Sequence, residues 1–247
     1  MSEQCRFPPL AEPYDTALRQ AVAHVLSRFE PLGIIASGTI VRGNPGPTSD
    51  HDLHVIVPGV QRLRIQRFFN GVPAEIFINP PHAVEKYFAD DLENNRPITA
   101  HMIATGFVVL DRDPVVERLR ALARDYLTRS ADYDQSKLTW LRYAAALFLE
   151  DAEDVAGSDP EACAMLLHSA VEGMLRYYFF ARENIPVPRW KDLLTGVCEH
   201  DPETGTLARR FYAATTLDDR RTAAAALADH LLAARGFFEW ESAPDEV

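Results

Sequence analysis

Residues 34–57 read IIASGTIVRGNPGPTSDHDLHVIV, in which a glycine-rich polar loop joins two short apolar segments. Both segments are rich in Ile and Val and too short for a typical helix, so we predict buried strands over 33–36 and 53–57. Side chains two residues apart on a strand project from the same face, which brings the carboxylates of Asp50 and Asp52 together. Magnesium and manganese prefer such oxygen ligands. The stretch therefore predicts two strands, a connecting loop and a divalent metal site.

The loop has the composition of a phosphate-binding turn. Because glycine lets a ligand approach the backbone closely, the N–H groups at Gly38 and Thr39 are expected to bind phosphate oxygens. The loop lacks the G-x-x-x-x-G-K-[ST] pattern of a P-loop and the G-x-G-x-x-G pattern of a dinucleotide site. The sequence therefore requires another phosphate-binding architecture.

The first part of the chain, residues 1–130, alternates between strand and helix patterns. Two apolar runs, 62–69 and 73–78, meet at Asn70-Gly71, a dipeptide favoured in type I′ turns, which predicts an antiparallel hairpin. A further strand is expected at the edge of the sheet, over 107–110. The spacing of apolar residues and the helix-ending residues predict helices over 16–29, 82–93, 98–104 and 114–128.

The second part of the chain, residues 131–247, has no strand-like runs, and we predict an all-helical domain there. The predicted helices cover 136–155, 160–183, 189–199, 207–215 and 219–240. The short loops between them imply an antiparallel bundle. The predicted fold class is therefore α+β, with an N-terminal mixed-sheet domain followed by a C-terminal all-α bundle.

The composition is that of an ordinary globular protein, with 47% hydrophobic and 25% charged residues. No stretch approaches a membrane span and the first residues lack a signal-peptide pattern, so we expect a cytoplasmic protein without a membrane partner. The three cysteines are scattered, which indicates reduced thiols. The formal net charge of −11 argues against nucleic acid as a partner. It agrees with a polycationic small molecule, and equally with the mild acidity of most cytosolic proteins.

The loop and the aspartates resemble the signature of the DNA polymerase beta type nucleotidyltransferase superfamily, Gly-Ser followed after a loop by Asp-x-Asp. This chain has Gly38-Thr39 and Asp50-His51-Asp52. Arg42 and the Gly-Pro-x-Ser at 46–49 look most like the kanamycin-type aminoglycoside nucleotidyltransferases, in which an α/β domain also precedes a helical bundle. Thr39 stands where the signature has Ser and keeps the hydroxyl.

The resemblance implies a set of metal and nucleotide ligands. The third metal carboxylate would be Glu75, the only acidic residue of the strand at 72–78, and with Asp50 and Asp52 it would bind Mg²⁺ or Mn²⁺. Arg42 would either contact the triphosphate or brace the loop by pairing with an aspartate. Ser49 would either bind nucleotide or satisfy the loop backbone. The full set of implied nucleotide-binding residues is Ser37, Gly38, Thr39, Arg42, Ser49 and Lys191.

One lysine has two interpretations, and two histidines near the aspartates are not expected to bind metal. Lys191, at a predicted helix start, would bind phosphate or substrate, or would belong to a cap with Trp190 in the core. His51 and His54 are placed off the face that carries the aspartates, and we expect them to be structural or surface histidines and not metal ligands.

A hydroxyl acceptor needs a general base, and the resemblance implies a glutamate early in the helical domain. By position Glu150 is the first candidate, on the same helical face as Asp154, with Asp151 and Glu172 as alternatives. The competing interpretation is that the acidic run 150–154 is a solvated helix face.

The resulting functional hypothesis is a Mg²⁺-dependent nucleotidyltransferase. It would transfer a nucleoside monophosphate, AMP from ATP or another nucleoside triphosphate as co-substrate, to a hydroxyl of a small molecule, and release pyrophosphate. An aminoglycoside-like acceptor would make it an antibiotic-resistance enzyme. The alternatives are a protein adenylyltransferase or antitoxin of the minimal nucleotidyltransferase type, and a nucleotide-binding regulator without turnover. Several aromatic residues either pack in the helical domain or form the face of a homodimer: Tyr177, Phe179, Phe180, Phe237, Phe238 and Trp240.

Overall fold

The computed structural model describes residues 5–131, 135–182 and 185–242. The chain is α+β, as the sequence predicts: a five-stranded mixed sheet is formed early in the chain and helices follow it. The Cα positions divide the chain into two compact units, Met1–Arg129 and Ser130–Val247. No helix among the described residues is both long enough and apolar enough to cross a membrane.

The sheet of the first unit has the strand order β3-β4-β2-β1-β5. Its strands are β1 (Gly33–Ser37), β2 (His51–Ile56), β3 (Leu63–Phe69), β4 (Val72–Asn79) and β5 (Phe107–Asp111). The pair β2 and β4 is parallel, and the other three pairs are antiparallel. The predicted hairpin is confirmed: β3 and β4 are antiparallel neighbours, and Asn70 and Gly71 both have positive φ, 46° and 77°, as a type I′ turn requires. The predicted edge strand, β5, is confirmed as well.

Helices pack on both faces of this sheet: α1 (Tyr14–Leu26), α2 (Pro81–Glu93), α3 (Ile98–Thr105) and α4 (Val115–Tyr126). Helix α1 buries Leu18 and Val22 in a core with Leu53 and Ile76, which alternate with polar residues along their strands. Helices α2, α3 and α4 form a second core over the opposite face, centred on Ile56. Asp52, His54 and Glu75 share the face of the sheet that α2, α3 and α4 cover only in part.

The described part of the second unit is helical. Its helices are α5 (Gln135–Val155), α6 (Pro160–Phe180), α7 (Leu193–His200), α8 (Pro202–Ala213) and α9 (Leu217–Leu231), and a single 3₁₀ turn (Trp190–Asp192) precedes α7. One apolar core joins α5 to α9 and includes Leu149, Met174, Phe179, Phe211 and Leu227. Three helices begin with a capping side chain that accepts a hydrogen bond from a backbone N–H of the first turn: Asp159, Asp201 and Thr216.

Several helix boundaries differ from the prediction. Helix α8 starts at Pro202 and not at 207, because Asp201 caps it and proline fits the first helical position. Helix α9 ends at Leu231 and not at 240, and Ala233 beyond it adopts a φ of 49°, which is incompatible with a continuing helix. Residue 183, the predicted end of the second helix, lies outside the described residues. Trp190 is 65% exposed, so the interpretation that places it in the core is wrong.

Candidate metal and nucleotide site

The glycine at position 38 is required by two independent features of the structure. Gly38 follows β1 with a φ of +95°, a conformation that side chains rarely adopt. A Cβ at this position would lie 2.7 Å from Oδ2 of Asp52. The loop and the carboxylate are therefore packed against each other, and only glycine leaves room for both.

Two hydroxyl groups brace the loop internally. The hydroxyl oxygens of Thr39 and Ser49 are 2.7 Å apart, and the Ser49 hydroxyl accepts a hydrogen bond from the N–H of Gly46 at 2.8 Å. The threonine that replaces the serine of the signature thus keeps a hydroxyl partner. Ser37 is buried beside them and pairs with Asp52 in the β1–β2 register. The predicted loop residues are held as one unit, with Ser49 satisfying loop backbone.

Three carboxylates converge at this point of the sheet. Asp52 on β2 and Glu75 on β4 are direct neighbours in the parallel register, and Asp50 immediately precedes β2. One oxygen from each of the three lies within 4.8 Å of the others. Oxygen-only donors at this separation fit a magnesium or manganese ion. The structure thus brings together the three residues predicted to hold the metal.

The site is electrostatically strained without a cation. Burial, reinforced by the charges of Asp50 and Glu75, raises the pKa of Asp52 to about 7, although Arg42 and Arg64 act in the opposite direction. Asp52 is only 9% exposed, so water does little to relieve this repulsion. A divalent cation between the carboxylates would relieve it, which is a second observation that fits a metal at this place.

Arg42 extends from the loop into solvent. Its guanidinium group makes no hydrogen bond to another residue within 5–131, 135–182 and 185–242, but its charge lowers the pKa of Asp52. The interpretation that Arg42 braces the loop by pairing directly with an aspartate is therefore not what the structure contains. The group is available to an anionic ligand.

Sequence reasoning missed two residues that hold Glu75. Arg64 donates to one carboxylate oxygen at 2.6 Å and Gln66 to the other at 2.7 Å, both from β3. The hairpin turn at Asn70-Gly71 contained the signal, because a two-residue turn sets Gln66 opposite Glu75. Glu75 is therefore oriented by its neighbouring strand, and Arg64 is part of the site.

The two histidines of β2 lie on opposite faces, and the predicted placement of His54 is wrong. Side chains two residues apart on a strand project from the same face, so His54 lies on the face that carries Asp52. It stacks on Phe77, with ring centroids 5.1 Å apart, and its Nε2 lies 3.4 Å from the sulfur of Met102. Burial lowers the pKa of His54 to about 4, so the ring is neutral. His51 is buried on the other face, with Nε2 3.0 Å from the carbonyl oxygen of Tyr14.

A cavity of about 790 Å³ opens beside the carboxylates. Strands β2, β3 and β4 and helices α2 and α3 contribute its lining, and Asp52 and Glu75 lie at its wall. The lining residues that were not predicted include Arg62, Arg64, Phe77, Asn79, Tyr87 and Asp91. The size is within the range of small-molecule sites in proteins.

The predicted site residues of the second unit differ in their surroundings. One carboxylate oxygen of Glu150 accepts a hydrogen bond from the N–H of Phe237, and a Cβ on Gly236 would collide with the same carboxylate. Glu172 differs, because burial raises its pKa and its Oε1 has no hydrogen-bond partner among the described residues, with Arg176 Nε at 3.6 Å. It lines a separate cavity of about 510 Å³. Lys191 is exposed in the 3₁₀ turn before α7.

The fold is similar to that of a known protein, whereas the sequence gives no match. No family model matches the chain, and no curated protein matches it. Among solved structures, the chain is similar to a nucleotidyltransferase-like protein from Exiguobacterium sibiricum 255-15, with a TM-score of 0.52 and 16% sequence identity. The similarity covers 88% of this chain and 73% of that one. At this identity it shows a shared nucleotidyltransferase-like fold.

Proposed function

We propose that the protein is a divalent-metal-dependent nucleotidyltransferase that moves a nucleoside monophosphate from a nucleoside triphosphate to a hydroxyl group. The convergence of Asp50, Asp52 and Glu75 within 4.8 Å, packed against a glycine loop, is the observation that carries the proposal. A fold shared with a nucleotidyltransferase-like protein supports it. Fold similarity alone does not assign a reaction, so the site has to carry the argument.

The chain's own residues divide the work between two sides of the site. The backbone of the Gly38-Thr39 turn and the free guanidinium group of Arg42 would bind the triphosphate, since both offer donors to phosphate oxygens. Asp50, Asp52 and Glu75 would hold Mg²⁺ or Mn²⁺, which in such sites neutralises phosphate charge and orients the leaving pyrophosphate. Arg64 and Gln66 would keep Glu75 oriented when the site is loaded.

The general base belongs to the same proposal, and two glutamates of the second unit compete for the role. Glu150 is the first candidate by position, yet its carboxylate already anchors the backbone at Phe237. Burial raises the pKa of Glu172, which is the direction that makes a carboxylate a stronger base. Glu150→Gln and Glu172→Gln variants should separate the two, because only loss of the base removes the acidic limb of the pH profile of kcat. If both variants keep that limb, neither residue is the base.

The expected donor is ATP, and the kanamycin-type pattern at Arg42 and residues 46–49 makes an aminoglycoside-like antibiotic the first acceptor to assay. The negative net charge of the chain supports a cationic acceptor in a general way. We propose small-molecule partners and no nucleic acid.

The test is transfer of label from α-³²P-labelled nucleoside triphosphates with Mg²⁺, measured together with pyrophosphate release. Labelled small-molecule product with equal release of pyrophosphate supports the proposal. Label in a partner protein would instead identify a protein adenylyltransferase. Tight nucleotide binding with no pyrophosphate release under any acceptor would identify a regulator without turnover.

A further inference from the structure

The cavity beside the carboxylates lies on the side of the site opposite the phosphate-binding loop. The loop follows β1, whereas the cavity is lined from β2, β4 and β3, and these strands succeed one another away from β1 in the sheet. In-line phosphoryl transfer places the attacking oxygen and the leaving group on opposite sides of the phosphorus. If the loop binds the pyrophosphate portion, the attacking hydroxyl approaches from the cavity. This step rests on the proposed function.

Outside the metal site, the cavity presents few carboxylates to a polycation. Apart from Asp52 and Glu75, which belong to the metal site, the charged lining residues are Arg62, Arg64 and Asp91. Arg64 is paired with Glu75, which leaves the guanidinium group of Arg62 and the carboxylate of Asp91. Asp91 is already engaged, since it accepts a hydrogen bond from the N–H of Thr99 at 2.7 Å.

Arg62 is placed to bind an anion. Its guanidinium group donates to the hydroxyl of Tyr87 at 2.6 Å, a neutral partner that leaves the positive charge uncompensated. Arg64 lies two residues after Arg62 in the chain, on β3. Its guanidinium carbon is 4.9 Å from the centre of the Phe77 ring. The guanidinium group of Arg64 is already paired with Glu75, so Arg62 is the arginine of this lining that is offered to an oxyanion, which accepts more than one N–H from a guanidinium group.

Asn79 supplies an independent observation that this cavity takes a polar ligand. It is 5% exposed, lines the cavity, and its side-chain amide makes no hydrogen bond to another residue in the described part of the chain. The amide oxygen and nitrogen are not sealed from solvent, so they face the open volume of the cavity, where a polar ligand would reach them. The amide of Asn79 is thus a donor and acceptor held ready inside the cavity.

We propose that this cavity binds the acceptor, and that the acceptor is a hydroxyl compound carrying an oxyanion, a phosphate or a carboxylate, which Arg62 and Asn79 recognise. The acceptor hydroxyl oxygen forms a bond to the α-phosphorus, and the bond from that phosphorus to the bridging oxygen breaks. Pyrophosphate leaves with the electron pair, and the hydroxyl proton passes to a carboxylate base or to water. The products are the nucleotidylated acceptor, pyrophosphate and one proton.

The experiment uses a series of probes that differ in charge and share a ring: glucose 6-phosphate, glucose and glucosamine. Calorimetric binding is measured on the full chain saturated with α,β-methylene ATP and Mg²⁺, which fills the phosphate loop and blocks transfer. We expect glucose 6-phosphate to bind at least tenfold more tightly than the other two, because a charge-assisted hydrogen bond contributes a factor of about 10 to 100.

The matched variants are Arg62→Gln and Arg67→Gln. Arg67 is on β3, the strand that Arg62 precedes, and pairs with the buried Ala74, so its side chain belongs to the face opposite Arg64 and Gln66. Arg62→Gln should remove most of the preference for glucose 6-phosphate, and Arg67→Gln should leave it unchanged. A preference of the wild-type protein for glucosamine over glucose 6-phosphate and glucuronate, or binding of neither anion at millimolar concentration, would overturn the inference.

Two further outcomes separate this inference from the proposed function. If Arg62→Gln weakens binding of α,β-methylene ATP and not of the sugar phosphate, the cavity belongs to the nucleotide and the inference is wrong. If the wild-type protein does not bind α,β-methylene ATP in a Mg²⁺-dependent way, the proposed function itself fails. Phosphate and carboxylate recognition are distinguished by repeating the series with glucuronate.

Discussion

Two acidic groups of this protein carry similar numbers of carboxylates and have opposite electrostatics. At the sheet, the pKa of Asp52 is raised to about 7 by burial and by two neighbouring carboxylates. On α5, in the run 150–154, hydrogen bonds from Arg221 lower the pKa of Glu153, and Glu150 caps a backbone N–H. At the sheet, Arg64 pairs with Glu75 and the buried Asp52 keeps an unrelieved repulsion, whereas on α5 Glu153 is paired with Arg221 and Asp151 and Asp154 are exposed. Uncompensated charge, and not the number of acidic residues, marks the candidate site.

The largest expected effect comes from removing the central carboxylate of the group at the sheet. Asp52→Asn should lower nucleotidyl transfer by about 10³-fold, because a bound metal contributes several kcal/mol of transition-state stabilisation. The measurement is kcat/KM from pyrophosphate release. Asp154→Asn, in the exposed acidic run of α5, is the matched control and should stay within twofold of wild type. Equal loss in both variants would remove the distinction between the two groups.

The next largest effect tests the packing of the loop against Asp52. Gly38→Ala should destabilise the protein by about 2 to 4 kcal/mol, since it adds a left-handed φ strain and a contact with Oδ2 at 2.7 Å. Gly43→Ala is the control, because Gly43 has a φ of +80° and open space around its Cβ position. It should cost only the φ term, about 1 to 2 kcal/mol.

Urea unfolding of both glycine variants gives the comparison, and metal binding is measured on each. If the two free energies of unfolding agree, the contact with Asp52 contributes nothing. If Gly38→Ala keeps full metal affinity, the loop does not set the position of that carboxylate.

The sequence contained enough to locate this site but not to describe its surroundings. Two local rules apply: strand alternation brings Asp50 and Asp52 to one face, and the two-residue hairpin turn sets Gln66 opposite Glu75. The parallel pairing of β2 with β4, which places Asp52 beside Glu75, is not local, and Glu75 was predicted from the resemblance. Alternation along β2 also places His54 on the same face as Asp52. The prediction that His54 lies off that face was therefore wrong. The cavity could not be predicted, because α2 and α3 bring Tyr87 and Asp91 to it through tertiary packing.

Boundaries in the helical unit show the same limit. Aspartate and proline at 201 and 202 are a local cap signal that would have given the start of α8. The end of α9 at Leu231 depends on how the following segment packs: its Phe237 N–H donates to Glu150 across the unit, and periodicity along a single segment does not contain that contact.

A smaller effect concerns stability and pH. The ordinary pKa of Asp52 is 3.8 and the folded value is about 7, so the folded protein holds an extra proton between these values. The stability associated with that proton is fully present below pH 4 and is lost as the pH rises through 7. Asp52→Asn should therefore stabilise the metal-free protein by about 2 kcal/mol at pH 8, several degrees in Tm, and hardly at all at pH 4.

Thermal unfolding in the presence of a chelator at both pH values is the check. Added Mn²⁺ should reverse the order at pH 8, because it stabilises the wild-type protein by mass action and not the variant. A variant that is less stable than the metal-free wild-type protein at pH 8 would contradict the proposed repulsion among the three carboxylates.

The smallest effect belongs to the acidic group on α5. Glu153 and Arg221 are paired but partly exposed, with side chains 43% and 33% accessible, and such surface pairs stabilise proteins by at most about 1 kcal/mol. Glu153→Gln should therefore reduce stability slightly at pH 7, and the difference should vanish as the pH falls through the lowered pKa of Glu153, where the wild-type carboxylate is protonated too.

Transfer activity and metal affinity should not change. Urea unfolding over a series of pH values downward from 7 measures this, with Arg221→Gln as the reciprocal variant. A gain in stability from Glu153→Gln, as predicted for Asp52→Asn, would mean that Arg221 does not compensate the acidic run and that the two groups differ only in burial.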